Sequence, residues 1–194
     1  MPSRSCSPST GNCRAAVRII LIAVLAAFLC PALPASASPR PTQAEVTLLR
    51  NREYVEALLK GIRGSRKSVI LVSYLFKVGE KRGNQPAAIL EELVQARRRG
   101  VDVTVIMEKS GRRNDSLDRD NLHTAAILAR NGIKVFFDAP GTVTHLKTVV
   151  IDNRFVYMGS HNLSQMALTR NNELSMLLDS PELAAEIADY LNRL

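Results

Sequence analysis

The stretch Thr144-His145-Leu146-Lys147-Thr148-Val149-Val150-Ile151-Asp152-Asn153-Arg154-Phe155-Val156-Tyr157-Met158-Gly159-Ser160-His161-Asn162 breaks the pattern of the chain before it, and its reading decides the fold. Leu146 to Ile151 and Phe155 to Met158 are apolar runs joined only by Asp152-Asn153-Arg154. That link is too short for a helix, so the two runs predict an antiparallel hairpin. His145 and Lys147 stand two apart at the head of the first run, a spacing that puts both side chains on one face. An imidazole beside an ammonium suits a phosphodiester: one supplies a nucleophile for phosphorus, the other a cation for the non-bridging oxygens.

Upstream, strands and helices alternate. Val46 to Leu49 reads as a short strand, and Asn51 as the cap of a helix whose apolar face is Tyr54, Val55, Leu58, Leu59 and Ile62. Ser68 to Leu75 is a strand apolar enough to be buried on both faces. A polar loop with Lys77, Lys81, Arg82 and Gly83 leads to a helix opened by Pro86 and stopped at Gly100. Val101 to Met107 is the next strand, and Glu108 to Leu117 a loop holding Lys109, Arg112 and Arg113. A helix is expected from about Leu122 to Asn131 and a strand over Lys134 to Phe137. Downstream of the hairpin, Glu173 to Leu178 reads as a strand and Ser180-Pro181 as the start of a last helix, with Leu183, Ile187, Leu191 and Leu194 on one face. The expected fold is α/β: a single domain over 42–194 with a mixed sheet and helices on both faces.

Residues 1–37 read as an export signal. Arg14 and Arg18 flank an unbroken apolar run from Ile19 to Leu29, and Ala35-Ser36-Ala37 is a small-x-small cleavage site. A periplasmic or secreted protein is expected. The alternative is an uncleaved anchor in the inner membrane, although the run has 11 residues where a spanning helix needs roughly 20. The 194 residues carry a net charge of +8, and Arg4, Arg14 and Arg18 belong to the segment before position 38. The remainder has 23 basic against 18 acidic residues, a balance that fits a polyanionic partner and equally an ordinary solvated surface. Cys6, Cys13 and Cys30 all lie before position 38. A mature chain lacking them would have no disulfide and no thiol chemistry.

The pattern His-x-Lys, four residues, Asp, six residues, Gly-Ser-x-Asn resembles the signature of the phospholipase D superfamily. Its positions are filled by His145, Lys147, Asp152, Gly159, Ser160 and Asn162, and Glu173 matches the acidic residue that follows the motif in the family's small bacterial nucleases. The motif occurs once, which is nearer the single-motif nucleases than the two-motif phospholipases. The resemblance implies that His145 forms a phosphohistidine, that Lys147, Ser160 and Asn162 hold phosphate oxygens, that Gly159 turns the latter two inward, and that Glu173 accepts from the other ring nitrogen of His145. Asp152 is part of the catalytic motif, yet it lies seven residues from His145. Strict alternation sends it to the opposite face, and its place before Asn153 suits a turn-capping carboxylate, so an indirect role is expected.

Double displacement needs an acid for the leaving alkoxide besides the nucleophile. His123 falls inside a predicted helix, and His161 in a turn where it is expected on the rim. The matching imidazole is therefore expected from His145 of a second copy, in an isologous homodimer with the active site at its interface, as the resemblance also implies. Neither metal nor cofactor is expected: no His pair has helical i, i+4 spacing and no Cys lies beyond position 38. The preferred substrate is nucleic acid, DNA and/or RNA, with Lys77, Lys81, Arg82, Arg112 and Arg113 following the backbone. Trp is absent and aromatic residues make up 5% of the chain, so base stacking contributes little and cleavage is expected to be sequence-blind. The alternatives are a phospholipase D or cardiolipin-type lipid phosphodiesterase at a membrane, which an uncleaved N-terminus would hold there, and a non-catalytic binding module.

Overall fold

The structure is a computed structural model, and it describes residues 41–194 except Arg113 and Pro140. The expected export signal lies outside the described residues. Where the chain alternates strand and helix, its strands run parallel. β2 (Ser68–Ser73), β3 (Asp102–Met107) and β4 (Lys134–Phe137) are joined through α2 (Gln85–Arg98) and α3 (Ser116–Arg130). Beyond residue 144 the strands are antiparallel: β5 (Lys147–Ile151) and β6 (Phe155–Gly159) form the hairpin, and β7 (Leu174–Asp179) pairs with β6. β1 (Glu45–Arg50) returns to pair with β7, and β5 lies antiparallel to β2. The result is one seven-stranded mixed sheet in the order β1-β7-β6-β5-β2-β3-β4. Asp152 and Asn153 turn the hairpin with φ of 55° and 52°, and Arg154 N–H donates to Ile151 O at 3.1 Å. Two successive left-handed residues give the turn whose twist matches that of the strands.

One face carries α1 (Arg52–Gly64), α2, α3 and α4 (Gln165–Thr169). Tyr54, Leu58, Ile62, Ile89, Leu93, Leu128 and Leu168 pack there on Val69, Leu71, Val103, Val105, Val149, Ile151 and Tyr157. Each such large apolar side chain contributes about 1.5–3 kcal/mol by leaving water. The opposite face carries α5 (Pro181–Leu191), seated through Ala184, Ala188 and Leu191 on Val72, Ile106, Val150, Val156 and Leu178. Leu183, Ile187 and Leu194, the expected stripe, are only partly buried at its margin. Ser180 caps α5 by accepting from Leu183 N–H.

Three local expectations change. α3 starts at Ser116, well before Leu122, because its first buried positions are polar: Asp118, Asn121 and Thr124 face inward, and apolar spacing does not reveal them. Asp115 caps it through Leu117 N–H. α4 is an additional helical turn after Ser164, whose Oγ accepts from Ala167 N–H. Asn51 precedes α1 with φ 47° and makes no side-chain cap. Its Oδ1 instead accepts Glu173 N–H at 2.9 Å.

The registers place Lys147 opposite Ser73, Gly159 opposite Ser175 and Arg50 opposite Leu174. The carboxyl ends of β1, β2, β3, β4 and β6 therefore meet the amino ends of β5 and β7 along one edge of the sheet. His145, Lys147, Gly159, Ser160, Asn162 and Glu173 sit on that edge, and Asp152, His123 and part of the basic loops lie away from it.

Candidate active site

His145 is exposed just ahead of β5, its ring centre 4.6 Å from that of Tyr74 and tilted by 58°. Lys147 is 8% exposed. Its Nζ donates to His145 O at 2.8 Å and lies 5.1 Å from the Tyr74 ring centre. An ammonium carries three donors, so one hydrogen bond leaves capacity for a phosphate oxygen. Burial draws the Lys147 amine below its usual value, and the charge of Glu173 pulls it back. Such a poorly hydrated cation interacts more strongly with an incoming anion than one in bulk water.

Tyr74 belongs to the site although no motif marks it and it is set apart only by its place just past β2. Its position is set by α3. Asn121 is fully buried, donates to Tyr74 O and Glu108 O at 2.9 Å each, and accepts Phe76 N–H at 2.8 Å. Thr124 donates to Phe76 O at 2.5 Å. The polar face that hid the start of α3 is what fixes the loop under His145.

Glu173 and Ser160 are together, but not as expected. Ser160 Oγ donates to the Glu173 carboxylate and accepts Leu174 N–H at 3.1 Å. Asn171 donates to the other Glu173 oxygen at 3.0 Å. In this arrangement the Ser160 proton is committed to Glu173, not available to a phosphate, and no Glu173–His145 hydrogen bond is present among the described residues. Glu173 reaches the site through its charge on Lys147. Asn162 follows on the same loop. Its Oδ1 is buried without a hydrogen-bond partner among the described residues, an acceptor that costs about 1–3 kcal/mol while unmet.

Gly159 is required for a reason other than turning. A Cβ there would meet Leu174 O at 2.6 Å and collide with Ser175, so glycine lets β6 and β7 close beneath Ser160. His161 is a core residue, not a rim residue. It is 1% exposed and stacked on Tyr54 with centroids 4.3 Å apart. Its Nε2–H donates to Asn51 O at 2.9 Å, and Nδ1 accepts from Ser175 Oγ at 2.7 Å. Burial lowers its pKa, with the Asn51 bond and Glu173 opposing. His123 lies exposed on α3.

Asp152 is at the other end of β5. At about 3.3 Å per residue, five steps put it roughly 16 Å from Lys147. Its carboxylate accepts the backbone N–H groups of Arg66, Lys67 and Ser68 at 2.7–3.1 Å, and these hold it below the usual carboxylate range against the cost of burial. The motif aspartate is thus a staple between the hairpin turn and the start of β2, with no contact to the reacting end.

The basic residues divide. Lys81 and Arg82 line a cleft of about 920 Å³ with Arg52, Arg170 and Gln165. Arg170 adjoins Asn171, the partner of Glu173. Arg112 is exposed on a separate loop and Lys77 is paired with Asp120 at 2.9 Å. Arg113 lies outside the described residues. Among the described residues no three His, Cys, Asp or Glu side chains are grouped as metal ligands.

An α/β domain with a mixed sheet and a His-x-Lys pair at the strand ends defines a class, and comparison places this chain in it. The family described as cardiolipin synthase, PLD-like domain, matches residues 58–194. The chain belongs to the phospholipase D superfamily, whose members act on phosphodiester bonds. Cardiolipin synthase A of Cronobacter sakazakii is 28% identical over 145 residues, 71% of this chain and 27% of that protein, so the chain spans about a quarter of its length. Two solved structures share the fold. Nuc of Salmonella typhimurium, a phospholipase D family member, superposes with a TM-score of 0.64 at 23% identity, covering 78% of this chain and 93% of that one. NucT from Helicobacter pylori gives 0.62 at 21%, covering 78% and 95%.

Proposed function

We propose that this chain is a phosphodiesterase cutting DNA and/or RNA through a phosphohistidine on His145. The observation that carries the proposal is the open imidazole of His145 beside the desolvated Lys147 ammonium. The imidazole lone pair attacks phosphorus, the phosphorus–oxygen bond to the leaving group breaks, and an acid protonates the departing alkoxide. Water then attacks phosphorus and gives a proton to the former acid, now a base, while the phosphorus–nitrogen bond breaks and its electron pair returns to the imidazole. Lys147 and Asn162 hold the phosphate oxygens while negative charge gathers on them. Ser160 joins them only if its proton leaves Glu173. No cofactor takes part, and the ammonium of Lys147 does the work a divalent cation does elsewhere.

The acid comes from His145 of a second copy. His161 has both ring nitrogens engaged and His123 faces solvent on α3. Neither offers a free imidazole to the site, which supports a two-fold homodimer with the site at its interface. For the substrate, the cleft of about 920 Å³ gathers four cations, Arg52, Lys81, Arg82 and Arg170. It suits successive phosphates of a strand, with Arg112 and Arg113 offering further cations. Export by residues 1–37 would take the protein to the periplasm or outside the cell, and retention of that segment would anchor it. Among the described residues no helix is long and apolar enough to cross a membrane.

A lipid phosphodiester is the second reading, favoured by the match to the cardiolipin synthase domain. The deciding assay offers single- and double-stranded DNA, RNA and anionic phospholipid vesicles to purified protein in EDTA. Strand cleavage supports the nuclease. Lipid turnover with intact nucleic acid replaces it, and turnover of neither refutes both.

A further inference from the structure

We infer that Glu108 and Asp138 together clamp the backbone amide of Thr144 and so hold His145 in its working position. This rests on the reading of His145 as the nucleophile. The three groups come from three strand ends: Glu108 follows β3, Asp138 follows β4, and Thr144 precedes the nucleophile ahead of β5. All are buried, with exposures of 2%, 8% and 5%. Thr144 N–H donates to Glu108 Oε2 at 2.6 Å and to Asp138 Oδ2 at 3.0 Å. Asp138 Oδ1 accepts Lys109 N–H at 3.0 Å, and Asn121 fixes the Glu108 carbonyl. On the other side of His145, Tyr74 N–H donates to Leu146 O at 2.9 Å. The backbone around the imidazole is therefore pinned on both sides.

Two buried carboxyl groups that converge on one N–H repel each other when both are charged, which favours the protonated form of Glu108. Glu108 is held above its usual value, by burial first, then by the neighbouring Asp138 carboxyl and the charge of Asp118, with Thr144 N–H opposing. The surrounding charges do not relieve the pair. Asp118 from α3 is a third carboxylate, engaged by Ser110 and Gly111 N–H. The Lys109 ammonium sits 5.7 Å over the Phe137 ring. Lys147 beyond His145 is bonded to His145 O. Among the described residues no Lys or Arg forms an ion pair with Glu108, Asp118 or Asp138.

The sign follows from the proton count. A carboxyl whose folded value is raised stabilises the fold below its ordinary value and ceases to do so as pH rises through the raised one. There Glu108 ionises beside Asp138, one carboxylate turns away, and the Thr144 amide is left with one acceptor in place of two, free to shift. Displacing a reacting group by about 1 Å costs up to about 100-fold in rate.

The test uses the whole protein and two readouts. Glu108→Gln keeps a donor and an acceptor but does not titrate. In hydrolysis of bis(p-nitrophenyl) phosphate, the alkaline limb of kcat should move upward in E108Q. E108A should lower kcat about 100-fold with KM little changed, and E108Q should restore it. In wild type the NMR signal of the Thr144 amide should shift with pH through one titration that E108Q lacks. That measurement needs no activity, so an inactive chain whose Thr144 amide titrates would sink the phosphodiesterase and keep the clamp. A Thr144 amide indifferent to pH, or superimposable pH profiles for wild type and E108Q, would overturn the clamp. If E108A does not fold, E108Q and the amide titration decide.

Discussion

At the residue scale, His145 and His161 have the same side chain and opposite uses, decided by what surrounds them. His145 is open and leans on Tyr74; His161 is closed in by Tyr54, Ser175 and Asn51. His145→Ala should reduce turnover to background with the fold intact, read by rate and circular dichroism. Lys147→Ala should cost about 10²–10³ in kcat, the usual loss when one donor to a transition-state anion is removed. Since burial lowers the Lys147 pKa, deprotonation of that ammonium should add a second alkaline decline in turnover, one that E108Q retains. His161 works in the other direction. Its folded value is depressed from 6.5, so the unfolded chain takes the proton first and stability declines as pH falls below that ordinary value. His161→Phe should flatten this acid loss in denaturant melts, while leaving a lower plateau because Asn51 O and Ser175 Oγ lose a partner.

At the element scale, the hairpin is legible because its two apolar runs and three-residue link admit no helix, and the parallel half because β2 and β3 are each followed by a helix and a glycine. The start of α3 is hidden from hydropathy because Asp118, Asn121 and Thr124 are buried for their hydrogen bonds, and polarity alone does not distinguish those from solvated residues. Tyr74 could not be assigned for a related reason: which side chain stands beside His145 depends on β2 lying next to β5, which spacing along one strand does not specify. The motif's aspartate shows the limit of pattern. Alternation sent Asp152 away from the site, and the structure puts it at the far end of β5 stapling three amides. Asp152→Asn should therefore cost about 1–3 kcal/mol of stability and leave kcat near wild type, as denaturant melts and initial rates would show. Gly159→Ala should cost a further class of damage, about 1–3 kcal/mol from overpacking β6 on β7, together with loss of turnover as Ser160 and Asn162 shift.

At the scale of the whole molecule, the site is one edge of the sheet, assembled from strands distant in sequence. If a second copy supplies the acid, equal amounts of wild type and H145A allowed to exchange subunits should give less activity than the wild type alone at the same concentration, and sedimentation should report a dimer. Binding to single-stranded DNA should weaken steeply with salt, the slope falling by about one for each cation removed from the Arg52, Lys81, Arg82 and Arg170 cleft. The pairing of β1 with β7 carries a further consequence. A nascent chain complete through β6 already possesses the nucleophile and its lysine, but β1 has no neighbour, Asn51 has no Glu173 amide to accept, and Ser160 has no carboxylate to face. Closing so long a loop is entropically slow. The edge that carries His145 and Lys147 would thus stay unclosed beyond β6 until β7 has emerged, with β1 waiting unpaired through the synthesis of every strand between them.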